Sequence, residues 1–244
     1  MMDDRAVSEV VGYVLVFALV VTTIGVVFTT GFGALQDAQG AEQVNNVERA
    51  FDVLDANFQD MYRDGAPSRA TEMRLVDGSL GFGESTVITV EQGAQNTSIY
   101  PRPLVYSDGG DTEIVYEAGA LIRTDGDASV MKSEPGFLIS DSESTVHVLR
   151  TSASSGTSAH TGAGTVLVVG SQPSSGPQVT TFDSGEEINL TVETTRADAW
   201  DRYFTTYEDE GIGQVVERGD KSVTYQFEGE EVTVVRTRIS LRFA

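Results

Sequence analysis

Residues 10–35 read VVGYVLVFALVVTTIGVVFTTGFGAL and contain no charged side chain. About twenty consecutive apolar residues are what an α-helix needs to cross the hydrocarbon core of a bilayer. Inside lipid only a structure that satisfies its own backbone hydrogen bonds is tolerated, which makes this stretch a helix. The short charged stub Met1-Met2-Asp3-Asp4-Arg5-Ala6 precedes it, and no proline separates it from the polar segment after Leu35. A cleavable secretory signal has a shorter apolar core, about 7–15 residues, and a small-residue cleavage site. Gly33-Ala34-Leu35-Gln36 is a poor version of such a site. An uncleaved anchor is the simpler reading, and the sequence on either side of the apolar run adds a third.

Beyond that run, apolar residues recur at Val44, Val47, Phe51, Leu54, Phe58 and Met61. Alternating steps of three and four are the seam of a helix that packs along one side. Glu42, Glu48, Arg49, Asp52, Asp55 and Asp60 are assigned to the remaining, solvated surface. Asp64-Gly65-Ala66-Pro67 then stops the pattern, since Gly and Pro break helices. The chain from about residue 8 to residue 62 therefore reads as one helix or two nearly collinear ones, roughly 80 Å long at about 1.5 Å per residue. Gly25, Gly31, Gly33 and Gly40 are its weak points, and bending or local melting is expected around residues 31–40.

Arg5-Ala6-Val7-Ser8-Glu9-Val10-Val11-Gly12, the long Val/Leu run and the amphipathic extension together resemble archaeal type IV pilins and pilin-like proteins, of the kind found in halophiles. The resemblance covers the first quarter of the chain. It implies that a membrane-embedded prepilin peptidase cuts between Ala6 and Val7. It also implies that the released helices bundle as a filament core beneath an outward-facing β-rich head. Many archaeal adhesion pilins carry proline where Glu9 stands here. Bacterial pilins carry a glutamate five places into the mature chain, whereas Glu9 is third after the implied cut. A carboxylate at the bilayer edge can pair with the free amine of a neighbouring Val7 and set axial register, because an unpaired charge in the membrane is expensive. It can equally be a first-turn residue favoured by the helix dipole at headgroup level. Close helix packing in the bilayer would use Gly25, Gly31 and Gly33.

Charge sets orientation and partners. Arg5 is the one basic side chain before the apolar run, and Asp37 and Glu42 come after it before the next, Arg49. The positive-inside tendency places the N-terminus in and the head out. The chain carries 37 acidic against 16 basic residues, a net charge of -21, and its only lysines are Lys132 and Lys221. Such a surface stays hydrated in high salt and argues against nucleic acid as a partner. The expected partners are the lipid bilayer, other pilin-like subunits and the prepilin peptidase. There is no cysteine, which excludes disulfides and thiol chemistry.

Residues 65–244 read as a mainly antiparallel, β-sandwich-like head with one short helix, so the fold class is α+β. The organisation is then a stub at 1–6, a transmembrane helix at 7–35, an amphipathic extension at 36–64 and the head at 65–244. Strand-like runs fall at 72–76, 85–91, 97–106, 113–116, 119–123, 129–132, 136–140, 144–150, 164–169, 188–194, 221–227 and 231–243. Pro101 and Pro103 make 97–106 an edge strand at best. Residues 151–164 and 171–177 are Ser/Gly-rich and read as surface loops. The helix begins at the capping-box-like Thr195-x-x-Asp198, and Trp200, Tyr203, Phe204 and Tyr207 form one stripe of it, most simply packed on a sheet.

Candidate chemistry is sparse. His147 alternates in a strand toward solvent, and His160 sits in a loop, which gives no metal spacing and no catalytic triad. Asp125-Gly126-Asp127 and Asp108-Gly109-Gly110-Asp111 offer oxygen ligands on turns but lack the full calcium-loop pattern. No cofactor motif is present, and an enzyme is not the expected reading. Asn96 and Asn189 head N-x-S/T sequons and are candidate glycan acceptors, Asn96 the better placed, near a turn. The main rival to the filament reading is a permanently anchored surface domain that binds a ligand or partner without polymerising.

Overall fold

The structure is a computed structural model that describes residues 3–154, 159–182, 187–229 and 231–244. Within the first helix, the side chains of 3–9, 34, 36 and 37 lie outside the described ones. The long helix α1 spans Asp3–Asp64. The expected melting at residues 31–40 does not occur, and the backbone is helical throughout. The chain divides into two compact units, Met1–Asn45 and Asn46–Ala244.

The first unit is helix alone. The second holds the rest of α1 and a head made of β1 (Ser68–Leu75), β2 (Ser79–Phe82), β3 (Val87–Gln92), β4 (Gln95–Ile99), β5 (Leu104–Ser107), β6 (Thr112–Glu117), β7 (Ala120–Asp125), β8 (Ala128–Ser133), β9 (Gly136–Leu138), β10 (Glu143–Ala153), β11 (Ala159–Thr161), β12 (Gly164–Ser171), β13 (Gln178–Phe182), β14 (Ile188–Glu193), helix α2 (Ala197–Asp209), β15 (Gln214–Gly219), β16 (Ser222–Phe227) and β17 (Glu231–Phe243). The class is α+β, as the sequence pattern implies. The strands form three sheets where a plain sandwich has two. One runs β1-β12-β17-β10-β9, with β13 also paired to β17; the second runs β11-β2-β5-β6-β7-β8; the third runs β15-β16-β14-β3-β4. Pairing is antiparallel except for β10 on β17, which is parallel from Glu143↔Glu231 to Ala153↔Leu241.

Three expectations change here. The run 97–106 is two strands in different sheets: β4 is an edge strand, but β5 lies inside its sheet between β2 and β6. Pro101 and Pro103 occupy the link, where only their carbonyls are used, accepting from the Thr86 and Gly83 amides. His160 lies in β11 rather than in a loop. Residues 155–158 of the expected loop lie outside the described residues. Helix α2 is capped by Arg196 with no side-chain cap. Asp198 instead accepts from the Ser129 amide at 3.0 Å and from Arg202.

β17 has a change of face within it. Val232 and Val234 are buried on one side, and Thr237, Ile239, Leu241 and Phe243 on the other. Val232 and Val234 join the main core with Trp200, Phe204, Tyr225 and Phe227, where the aromatic stripe of α2 packs. The later half faces α1: a Cβ on Gly170 of β12 would meet Phe58 Cε1 at 2.9 Å and Ile239 at 3.2 Å. Glycine at 170 therefore lets the helix lie close on the sheet.

Candidate anchoring and assembly helix

In the first unit, the large apolar side chains described between Val10 and Leu35 are exposed, Tyr13, Leu15, Phe17, Leu19, Ile24, Phe28 and Phe32 among them. The apolar window within Val10–Asp64 is long enough to cross a membrane and has no buried residue. Its hydroxyls are also suited to an apolar surrounding. Thr22, Thr23, Thr29 and Thr30 donate to the carbonyls of Ala18, Leu19, Gly25 and Val26 at 2.7–3.0 Å, so none of these hydroxyl hydrogens is left without a partner. A Cβ at Gly25, Gly31 or Gly33 would meet nothing within 4 Å. These glycines are not required by the chain's own packing and leave shallow places on the helix surface. Ala6, Val7 and Glu9 lie in the helical backbone, and their side chains are outside the described ones.

Val44, which ends the first unit's share of the seam, is buried. The rest of the seam, Val47, Phe51, Leu54, Phe58 and Met61, is buried in the second unit, each at most 1 % exposed. Phe58 meets Tyr116 edge-on, with ring centroids 5.2 Å apart. Beside the seam runs a column at seven-residue spacing: Glu48, Asp55 and Tyr62. Each reaches the head. Glu48 pairs with Lys132 at 2.9 Å and Arg123 at 3.4 Å. Asp55 accepts from Tyr116 at 3.2 Å, Ser133 at 3.1 Å and Gln59 at 3.0 Å. The Tyr62 ring packs edge-on against His147 at 4.5 Å.

This column corrects two assignments. Asp55 is buried, not solvated, and burial raises its carboxyl pKa while the three hydrogen bonds hold it down. His147 is half-buried beneath α1, bonded to Thr237 at 2.8 Å, rather than directed to solvent. Burial and the nearby Arg63 lower its pKa to about 4. A seven-residue spacing beside a three-four seam is the signal that marks such flanking residues.

The head contains a second buried group that spacing could not reveal. Glu117 is fully buried at the β6–β7 turn, where Ala118 and Gly119 have φ of 57° and 105°. It accepts from Arg196 at 2.6 and 2.9 Å, Trp200 Nε1 at 2.8 Å and Thr194 at 3.0 Å. Each partner lies about 80 residues away in sequence, at the start of α2. The pair fixes that helix against the hairpin turn, with both charges satisfied.

The remaining candidates are scattered over the head. Asn96 is exposed on edge strand β4, just past the Gly93-Ala94 turn. Asn189 is half-buried on β14, its side-chain oxygen accepting from Gln226 at 3.1 Å. The acidic turns bond internally: Asp125 with Arg123 and Thr112, and Asp108 with the Gly110 amide. Among the described residues, no group of three or more His, Asp or Glu is placed to hold a metal.

No curated protein and no solved structure matches the chain. A family model matches residues 5–242, from the last charge of the stub into the last residues of β17, and so takes helix and head together. The chain belongs to that family, DUF7289, a family of unknown function.

Proposed function

We propose that this chain is a pilin-like structural subunit of an archaeal type IV pilus-related filament or of its assembly complex, serving surface adhesion or assembly. Its apolar helix inserts N-in, its head faces outward, and its acidic surface suits high salt. The observation that carries this reading is the unbroken helix Asp3–Asp64, whose apolar part is wholly exposed in the single chain. Such a surface calls for lipid before assembly and for neighbouring helices after it. Arg5-Ala6-Val7 supplies the junction a prepilin peptidase would cut. The test is the N-terminal residue of the protein from its native membrane, by intact mass and terminal peptide sequencing. A start at Val7 supports processing and assembly; an intact Met1 or Met2 rejects the processed subunit.

One observation favours the second reading, an anchored surface domain that does not polymerise. The seam residues Val47 to Met61 are spent on the chain's own head, so that part of the helix offers no apolar stripe to a neighbour. The two readings differ in whether residues 10–35 meet other helices or lipid alone.

A further inference from the structure

β12 leaves its ladder with β17 at Ser171, opposite Ser240. β13 joins the same edge of β17 at Gln178, opposite Arg236. Arg238 falls in the gap between them, and residues 172–177 pass around that gap. A cavity of about 130 Å³ forms there, lined by Pro173, Ser175, Gly176, Gln178, Arg236 and Arg238. In a chain with 37 acidic residues against 16 basic ones, this pocket is lined, among the described residues, by two arginines and no carboxylate. Among the described residues neither arginine is in an ion pair.

Among the described residues, Arg236 Nε and, at the start of the same segment, Gln172 Nε2 are buried donors with no partner. A buried donor without an acceptor is costly and rare in native proteins. On the other side of β17, Arg150 of β10 stands in register with Arg238, and like charges directly opposite on neighbouring strands repel. An anion in the pocket would give Arg236 Nε an acceptor and offset the charge of Arg238, which stands opposite Arg150. The guanidinium fork matches the geometry of an oxyanion. Ligand pockets for larger molecules span roughly 300–1,000 Å³, so this one suits a small group and not a nucleotide. The net negative charge does not cancel the site, because exposed charges are screened beyond about 8–10 Å at physiological ionic strength.

We propose that this pocket binds a small oxyanion, sulfate or phosphate, either free or as the terminal group of a larger molecule. The full chain in detergent micelles is titrated with sodium sulfate and with sodium phosphate, by calorimetry and amide NMR, at constant ionic strength set with chloride. Saturable binding of either is expected, with shifts at Gln178, Arg236 and Arg238 and none matched by chloride. Arg236→Gln with Arg238→Gln should weaken it on the order of tenfold or more, and Arg218→Gln, on a surface ion pair elsewhere, should not. Should the double variant fail to fold by circular dichroism, Arg238→Gln alone, at an exposed position, supplies the comparison. Tighter binding of a sulfated monosaccharide than of sulfate would assign the anion to a larger molecule; equal binding would assign it to the free ion. Absence of saturable binding, equal response to chloride, or binding unchanged by the arginine variants would overturn the proposal.

Discussion

Helix α1 is apolar in two different ways, and the contrast separates what each part is for. From Val10 to Leu35 large side chains project all round the helix and are exposed. From Val47 to Met61 the large apolar residues form one stripe buried on the head, with Val53 the exposed exception. A helix with one apolar stripe is satisfied by one protein surface; a helix apolar all round needs an apolar surrounding. One element therefore carries an internal packing surface and an external one, with composition rather than secondary structure marking the change.

The largest effect should come from removing the external part. A variant lacking residues 1–45 keeps the compact unit Asn46–Ala244 and should stay in solution without detergent, while the full chain requires it. Sedimentation after detergent removal checks this, and a truncated chain that still pellets breaks the comparison. Within the internal part, Phe58→Ala removes a ring that touches Tyr116 and lies over Gly170. It should cost about 4 kcal/mol, read from denaturant unfolding, whereas Phe28→Ala at an exposed position should leave the head's stability unchanged.

The head's own anchor gives the next effect. Glu117→Gln leaves the Arg196 guanidinium buried without its counter-charge and should cost about 3 kcal/mol. The double variant Glu117→Gln with Arg196→Met should recover part of that loss, and the same unfolding titration reads both.

How far these features are legible in residue order depends on their period. The apolar run, the three-four seam and the second half of β17 repeat often enough to be seen, because each presents several buried positions on one face. β11 and β15 do not stand out as strands: β11 buries no side chain and β15 only Val215. β2 and β13 likewise bury one residue each, Leu80 and Phe182. Edge and near-edge strands have little alternation to detect. The prolines at 101 and 103 mark a boundary, but not that β5 enters the interior of another sheet. The Glu117–Arg196 pair and the parallel match of β10 with β17 join residues about 80 to 90 apart, which no local pattern encodes. The buried face of Asp55 and His147 is obscured by their polarity, although the seven-residue column Glu48, Asp55, Tyr62 is there to be read.

The smaller effects concern pH, and two groups on the internal surface act with opposite sign. His147 is packed by Tyr62 and Arg63 of α1, Thr237 of β17 and Gly136 of β9. Its pKa is lowered from 6.5 to about 4 in the folded chain. Between those values the unfolded chain binds the extra proton, so stability is full above about 6.5 and falls as pH drops toward 4. The loss should reach at most about 3 kcal/mol by pH 4, and His147→Gln should remove it. The carboxyl pKa of Asp55 is raised by burial, so its protonation favours the folded state. Its contribution grows as pH falls through the folded value and then levels off once both states are protonated. Asp55→Asn should abolish that rise and make the acid-side loss due to His147 steeper. Urea midpoints of the three proteins between pH 4 and 8 separate the two contributions.

The claim that the apolar half of α1 meets other copies is open to one direct measurement, because the chain has no cysteine. Single cysteines are placed in turn at Ile24, Gly25, Val26, Val27, Phe28 and Thr29, and the protein is oxidised in its native membrane. Disulfide-linked dimers that recur with the three-to-four-residue period of a helix face are the expected result. Uniform absence of cross-links along the six positions, with the protein present in the membrane, would contradict assembly and leave an anchored surface domain.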